Sequence, residues 1–136
     1  MKILTGVLAL GAAAVLGLTV ASAETPPAEY VKTMKDVSAA AMSLRQNGTD
    51  MASVAKDAAS LKALFDWTAK FWQARKVQDA FDIATGASKA AADLEAAAKA
   101  SNADGVAAAT KTVTGVCTTC HNLHRDRHPD GTSDIK

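Results

Sequence analysis

The placement of proline limits most strongly how this chain of 136 residues can fold. Its prolines lie only at positions 26, 27 and 129, so the long stretch between them has none. Alanine is abundant in that stretch, and aromatic residues make up only 4% of the chain. Few residues favour strands, and such a composition predicts helices. Because the length predicts one domain, we expect an all-α protein, an antiparallel four-helix bundle over residues 24–128.

Turn-forming residues separate the first two predicted helices. Within each helix, apolar residues recur every three or four positions. The first helix is expected to end at Gln46-Asn47-Gly48, and Thr49 or Asp50 is expected to cap the second. A single helix from Asp50 to residue 100 would be too long for a domain of this size. We therefore predict a bend within residues 65–72.

The second half of the chain predicts two more helices and a polar end. The third helix is expected from about residue 75 to residue 100, and a turn follows at residues 101–105. The fourth begins near that turn and is expected to continue until Pro129 ends it. Residues 129–136 are expected to form a flexible tail.

Residues 1–23 have the pattern of a secretory signal peptide. Lys2 supplies the positive start, residues 3–20 are apolar and small without a charge, and Ala21-Ser22-Ala23 is a small-x-small cleavage site. We expect cleavage there, so that the mature chain begins at Glu24. The alternative is an uncleaved membrane anchor, because the apolar run approaches spanning length; its glycine and alanine content, however, makes it only mildly hydrophobic.

The charge of the chain argues against broad electrostatic binding. The formal net charge is +1, and it includes Lys2. Residues 1–23 hold no acidic residue, so their removal leaves basic and acidic side chains in equal number. A neutral protein has no broad attraction for nucleic acid or anionic membranes. We expect neither nucleic acid nor an anionic membrane as a partner. After cleavage, the chain itself is not expected to be an integral membrane protein.

The segment Cys117-Thr118-Thr119-Cys120-His121 has the pattern that attaches a c-type haem. On a helix, residues three apart share a face, so both sulfurs can add across the vinyl groups of one porphyrin. His121 can then bring an imidazole nitrogen under the iron as the proximal ligand. These are the only two cysteines of the chain. The motif predicts one covalently bound haem c on the last helix.

Other interpretations of this motif need features that the sequence lacks. A redox pair of cysteines would need a thioredoxin-like βαβ context, and nothing here alternates like a strand. A zinc site needs four ligands. The two cysteines, His121 and His124 could supply four, but all of them would lie close together on one helix. A disulfide between Cys117 and Cys120 would be small and strained.

With the motif near the end of the last of four helices, the mature chain resembles the cytochrome c-prime superfamily. Arg125 lies where that family usually has an arginine four residues after the histidine, whereas His124 replaces its usual aromatic residue. Ordinary small cytochromes c carry the motif near the N-terminus. The resemblance implies haem attachment in the periplasm. For Arg125 we expect contact with a haem propionate, and the alternative is a solvated surface arginine.

The resemblance also implies two kinds of iron site. Low-spin members use a methionine of the first helix as the sixth ligand, and Thr33-Met34-Lys35-Asp36 resembles them. Met34 lies on the inward face of that helix, so it is the expected distal ligand. The alternative is that Met34 only fills the core, as methionines at helical spacing usually do. Met42 and Met51 are less suitable ligands.

The remaining histidines and tryptophans have structural interpretations. His124 and His128 are expected to be exposed and not to bind the iron. Trp67 and Trp72 are expected to pack the corner between the second and third helices.

Three functions are compatible with these residues. The first is a periplasmic one-electron carrier with unknown redox partners. It would not be an enzyme, because a His/Met site has no open coordination position and no catalytic constellation is evident. The second is a five-coordinate cytochrome c-prime that binds nitric oxide or carbon monoxide at an open distal site. The third is a haem-free helical adaptor or metal-binding module.

The resemblance further implies a possible homodimer through the first two helices.

Overall fold

A computed structural model of the chain describes residues 23–136. The predicted four helices are confirmed, and a short β-hairpin follows them. The elements are α1 (Ala28–Gln46), α2 (Met51–Ala74), α3 (Gln78–Lys99), α4 (Ala103–His124), β1 (Arg125–Arg127) and β2 (Ser133–Ile135). The predicted signal peptide lies outside the described residues except for Ala23.

Helices that follow one another in the sequence pack against one another. The closely packed pairs are α1 with α2, α2 with α3, and α3 with α4. Between α2 and α3 the side chains are small: Ala58, Ala87 and Ala91 are fully buried. The apolar face predicted for α2 comprises Met51, Val54, Ala58, Leu61 and Phe65. The last four are buried, and Met51 is partly buried against the core. Each large apolar side chain buried in this core contributes about 1.5–3 kcal/mol.

The bend predicted within residues 65–72 is wrong. Helix α2 continues through this segment to Ala74, since its buried face continues in phase through Thr68, Ala69 and Trp72. The chain turns only at residues 75–77, where Lys76 has a φ of 60°. This left-handed conformation is uncommon for residues other than glycine. The turn therefore has no glycine or proline to mark it in the sequence.

Helix α4 ends earlier than the sequence predicts. Its last residue is His124, and Arg125 is already extended, with φ −128° and ψ 131°. Its backbone N–H still donates to the carbonyl of His121 and so completes the last turn. Leu123, in the last turn of this helix, is 51% exposed. Pro129 thus lies beyond the helix and does not terminate it.

The segment after α4 forms a β-hairpin where we predicted a flexible tail. Strands β1 and β2 pair antiparallel, with Arg125 opposite Ile135. At the turn, Asp130 Oδ1 accepts a hydrogen bond of 2.9 Å from the N–H of Thr132, and Gly131 has a φ of 88°. Ile135 is only 4% exposed. The chain end is ordered because this apolar side chain is buried against the helices.

An aromatic cluster anchors the hairpin to the helices. Ile135 packs there with Tyr30, Trp72 and Ala80. The ring of Tyr30 lies 4.5 Å from that of Phe71 and 5.8 Å from that of Trp72, measured between centroids. This cluster joins the start of α1, the end of α2, the start of α3 and the last strand.

None of the helices described within residues 23–136 is long and apolar enough to cross a membrane.

Candidate functional site

Helices α1 and α4 are not among the closely packed pairs, and a cleft lies between them. It consists of two neighbouring cavities of about 560 Å³ and 200 Å³. Both cavities are lined by Tyr30, Met34, Ser38, Cys120 and His121. We call the two cavities together the α1–α4 cleft. The two helices, the hairpin and the segment that precedes α1 line the larger cavity, and α2 and α3 also line the smaller one.

Both cysteines of the motif line this cleft. Cys120 borders both cavities, and Cys117 borders the smaller one. Neither forms a disulfide, and both are half-buried. The Cys117 thiol donates a weak hydrogen bond to the Val113 carbonyl, with the sulfur 3.8 Å from the oxygen. Burial raises the pKa of both thiols, that of Cys120 to about 11, with the nearby Cys117 and Asp79 adding to the rise.

His121 presents its imidazole to the same cleft. It is half-buried and borders both cavities. Burial lowers its pKa, and the positive charge of Arg125 lowers it further. The side chain is therefore neutral at pH 7, and a neutral imidazole is the form that binds a metal ion.

Met34 reaches the cleft from the opposite helix. It is half-buried on α1 and, like His121 on α4, borders both cavities. Met34 also packs against the main core and the aromatic cluster. Of the other two methionines, Met42 is 50% exposed, and Met51 packs against the main core but lines neither cavity. The cleft thus brings the motif residues Cys117, Cys120 and His121 together with Met34, which is far from them in the sequence. Whether Met34 ligates iron stays a prediction.

The two ends of the cleft differ in polarity. The smaller cavity is lined mainly by apolar side chains, among them Val37, Phe65 and Ala84. The larger cavity extends to the hairpin, where Lys35 and Arg125 carry positive charge. Among residues 23–136 neither of these two cations forms an ion pair. The cleft therefore combines a mainly apolar interior, which Arg45 also lines, with a cationic outer end beside the hairpin, which we call the hairpin end.

Asp134 is the one carboxylate on the lining of the larger cavity among the described residues. Its Oδ2 lies 3.1 Å from His128 Nε2, and its Oδ1 accepts a long hydrogen bond of 3.4 Å from Thr25. Two neighbours thus engage this negative charge, and His128 is half-buried where we predicted exposure. The positive charges of Lys35 and Arg125 remain for an anionic group in the cleft.

His124, predicted to be exposed, is 7% exposed. Its Nδ1 lies 3.0 Å from the Lys136 carbonyl, and its Nε2 lies 3.1 Å from Asp79 Oδ2 without the alignment of a hydrogen bond. Its ring also packs 5.3 Å from that of Trp72. The prediction failed because the hairpin, which the periodicity of α4 does not reveal, covers this residue.

The part of the chain that the structure describes shows no cluster of protein ligands for a metal ion. Within residues 23–136, no group of three or more His, Cys, Asp or Glu side chains is placed to hold one. His124, considered above as a zinc ligand, is turned toward Asp79 and Lys136. Trp67 and Trp72 lie within α2, ahead of the turn at residues 75–77, and both pack in the aromatic cluster.

Sequence reasoning missed several residues of the cleft. Tyr30 is expected on the same apolar face of α1 as Met34, but not as a residue that lines the cleft. Lys35, Ser38 and Ile135 also line the larger cavity. Nothing in the local sequence places Ile135 there, because its position depends on the pairing of the hairpin.

Comparison with known proteins adds no relative. No family model, no curated protein and no solved structure matches this chain. A function can therefore be assigned only from the cleft and from the residues that line it.

Proposed function

We propose that this protein is an exported c-type cytochrome that carries one electron and is not an enzyme. One haem c would be bound through the sulfurs of Cys117 and Cys120, with His121 and Met34 as the iron ligands. The observation that carries the proposal is the α1–α4 cleft itself. The cysteine–histidine motif borders it on one helix, and a methionine borders it on the other.

The size and chemistry of the cleft fit such a group. Pockets for cofactors commonly measure about 300–1,000 Å³, and the larger cavity alone has about 560 Å³. The apolar interior suits a porphyrin ring, and the cations at the hairpin end suit its carboxylates. The ligand set of one imidazole and one thioether is that of electron-carrying cytochromes.

The cysteines, His121 and the two cations of the larger cavity each have a separate role in this proposal. The protonated, half-buried thiols of Cys117 and Cys120 supply the two sulfurs for the thioether bonds. His121, neutral because it is buried, offers a nitrogen lone pair without first losing a proton. Lys35 and Arg125 balance the negative charge of the carboxylates, each as a partly solvated pair of modest strength.

A site with two protein ligands suits electron transfer better than catalysis. When bound, haem supplies the couple between Fe(III) and Fe(II). His121 and Met34 lie on separate helices, each packed against a neighbour, so the chain itself holds the two ligands at fixed positions. Ligands fixed in this way change little in geometry between the two oxidation states. With His121 and Met34 both holding the iron, the site would offer no open position for a substrate.

The location and the partners follow from the same proposal. Export to the periplasm depends on the signal peptide predicted over residues 1–23. Haem would be attached in the periplasm. In this role the protein would exchange its electron with a partner protein. The homodimer through α1 and α2 stays a prediction.

Visible spectroscopy on protein exported from a host that matures c-type cytochromes tests this function. We expect split absorption bands on reduction, a weak long-wavelength methionine–iron band on oxidation, and no response to carbon monoxide. Met34→Ala should remove the methionine band and admit carbon monoxide. Met42→Ala is the matched control, because Met42 is on the same helix but is exposed, and it should leave the spectrum unchanged.

Other outcomes would select the competing functions. A broad reduced spectrum that shifts with carbon monoxide in the unmutated protein would favour the gas-binding cytochrome c-prime. An unchanged methionine band in Met34→Ala would exclude Met34 as the ligand. Absence of haem from the exported protein would reject both cytochrome functions and leave the helical adaptor.

A further inference from the structure

The hairpin forms one wall of the α1–α4 cleft. Its residues Gly131, Thr132, Ser133, Asp134 and Ile135 all line the larger cavity. A two-stranded hairpin is at best marginally stable alone. Its position over the cleft therefore depends on the contacts that hold it against the helices.

Ile135 makes the main apolar contact. Its side chain is 4% exposed within the aromatic cluster of Tyr30, Trp72 and Ala80. Its backbone also pairs with Glu24: the Glu24 N–H donates to the Ile135 carbonyl at 2.8 Å, and the Ile135 N–H donates to the Glu24 carbonyl at 2.9 Å. One residue thus joins the hairpin both to the helices and to the segment before α1.

His124 makes the main polar contact. Its Nδ1 lies 3.0 Å from the Lys136 carbonyl, and the Lys136 N–H donates to the His124 carbonyl at 3.2 Å. Its buried ring lies between Trp72 and Asp79. The last residue of α4 is thereby tied to the last residue of the described chain, and the hairpin between them is held beside the cleft.

From these contacts we propose that the hairpin is a lid, latched by Ile135 and His124, that closes one end of the α1–α4 cleft against solvent. This inference rests on the proposed function in one respect: the group that the lid covers would be the haem. The lid can open without unfolding the bundle, since β1 packs closely only against β2 and α4, which it continues. Local opening of this kind is common where few buried contacts hold a segment.

The test compares Ile135→Ala with the unmutated cytochrome. The variant removes most of the apolar anchor, so backbone amides of residues 125–136 should exchange hydrogen roughly tenfold faster or more. The same variant should have a lower reduction potential, because water that enters the cleft favours Fe(III). His124→Gln is a second variant of the latch, expected to change both quantities in the same direction.

Leu94→Ala is the control for general loss of stability. Leu94 is fully buried in the main core and lines neither cavity. Its replacement should leave the reduction potential unchanged, although it weakens the fold. A lid and a merely structural hairpin are thus separated by the potential and not by stability.

Three results would overturn the lid. The amides of the hairpin could exchange freely in the unmutated protein, which would mean that no latch exists. Ile135→Ala could speed exchange without changing the potential, which would mean that the hairpin does not control access. Leu94→Ala could lower the potential as much as the latch variants do.

A failure of the proposed function would be recognised separately. If the exported protein carried no haem, access to the cleft would be measured by alkylation of Cys120, which borders the hairpin end, relative to Cys117, which borders only the smaller cavity. Ile135→Ala should then raise the rate at Cys120 roughly tenfold. An equal rate with and without the substitution would reject the lid.

Discussion

The thiol of Cys120 gives a quantitative test of how well the cleft is shielded in the haem-free chain. Burial, together with Cys117 and Asp79, raises its pKa from the ordinary 9.0 to about 11. At pH 8 the fraction present as thiolate is then roughly a hundredfold smaller than for an ordinary cysteine. Since the thiolate is the reactive form, alkylation of Cys120 by iodoacetamide should be slower by about the same factor. Mass spectrometry of the alkylated peptides measures this rate.

The same pKa predicts how stability depends on pH. A raised pKa means that the folded chain holds the thiol proton more tightly than the unfolded chain does. The stabilisation is complete below pH 9 and is lost as the pH rises through 11, and it amounts to about 2–3 kcal/mol. Urea unfolding between pH 8 and pH 11.5 should record the loss. Cys120→Ala should lose less over this range, because it has no thiol to ionise.

Haem attachment provides the contrasting case. A thioether has no ionisable proton, so the part of the pH dependence that Cys120→Ala removes should be absent from the protein with bound haem. Two results would refute the reasoning: an alkylation rate at pH 8 equal to that of a free cysteine, or an equal loss of stability in Cys120→Ala and the unmutated haem-free chain.

Three further changes test the bundle. Leu94→Ala empties a fully buried position and should lower the free energy of unfolding by about 2–5 kcal/mol; a urea titration that found less than 1 kcal/mol would contradict this packing. Asn102→Ala removes the side-chain oxygen that caps α4 through a hydrogen bond of 3.0 Å, so thermal unfolding should register a loss of about 1 kcal/mol. Ser88→Ala removes one of the two hydrogen bonds, from Lys62 and from Ser88, that lower the pKa of Asp66. The carboxyl titration followed by NMR should therefore move upward, and an unmoved titration would argue against the contact between α2 and α3.

The helices could be predicted because their signals are local. The face of Val54, Ala58, Leu61 and Phe65 follows from spacing alone, and the turns near residues 48 and 102 contain the residues that turns require. The turn at residues 75–77 could not be predicted in the same way. Lys76 adopts its left-handed conformation because the packing of α2 against α3 demands a reversal there, and its own sequence gives no sign of it.

The motif residues of the site could be predicted, but its walls could not. The spacing of Cys117, Cys120 and His121 is itself the signal, and the structure places all three on one cleft. The hairpin had a weaker signal, because Pro129-Asp130-Gly131 is a sequence typical of turns. Burial of His124 and Ile135, however, results from pairing between distant segments. A prediction from helical periodicity treats both residues as exposed.

The cleft follows from the uneven distribution of side-chain size along the helices. Small residues such as Ala58, Ala87 and Ala91 allow α2 and α3 to approach closely, so these two helices form the centre of the packing. Helices α1 and α4 each pack against only one of them, which leaves the space between α1 and α4 unfilled. At one end of that space, the bulk of Tyr30 and Ile135 lies between the two helices. An alanine-rich bundle with aromatic residues gathered at one end thus encloses a cavity, and in this chain the cavity lies beside the cysteine–histidine motif.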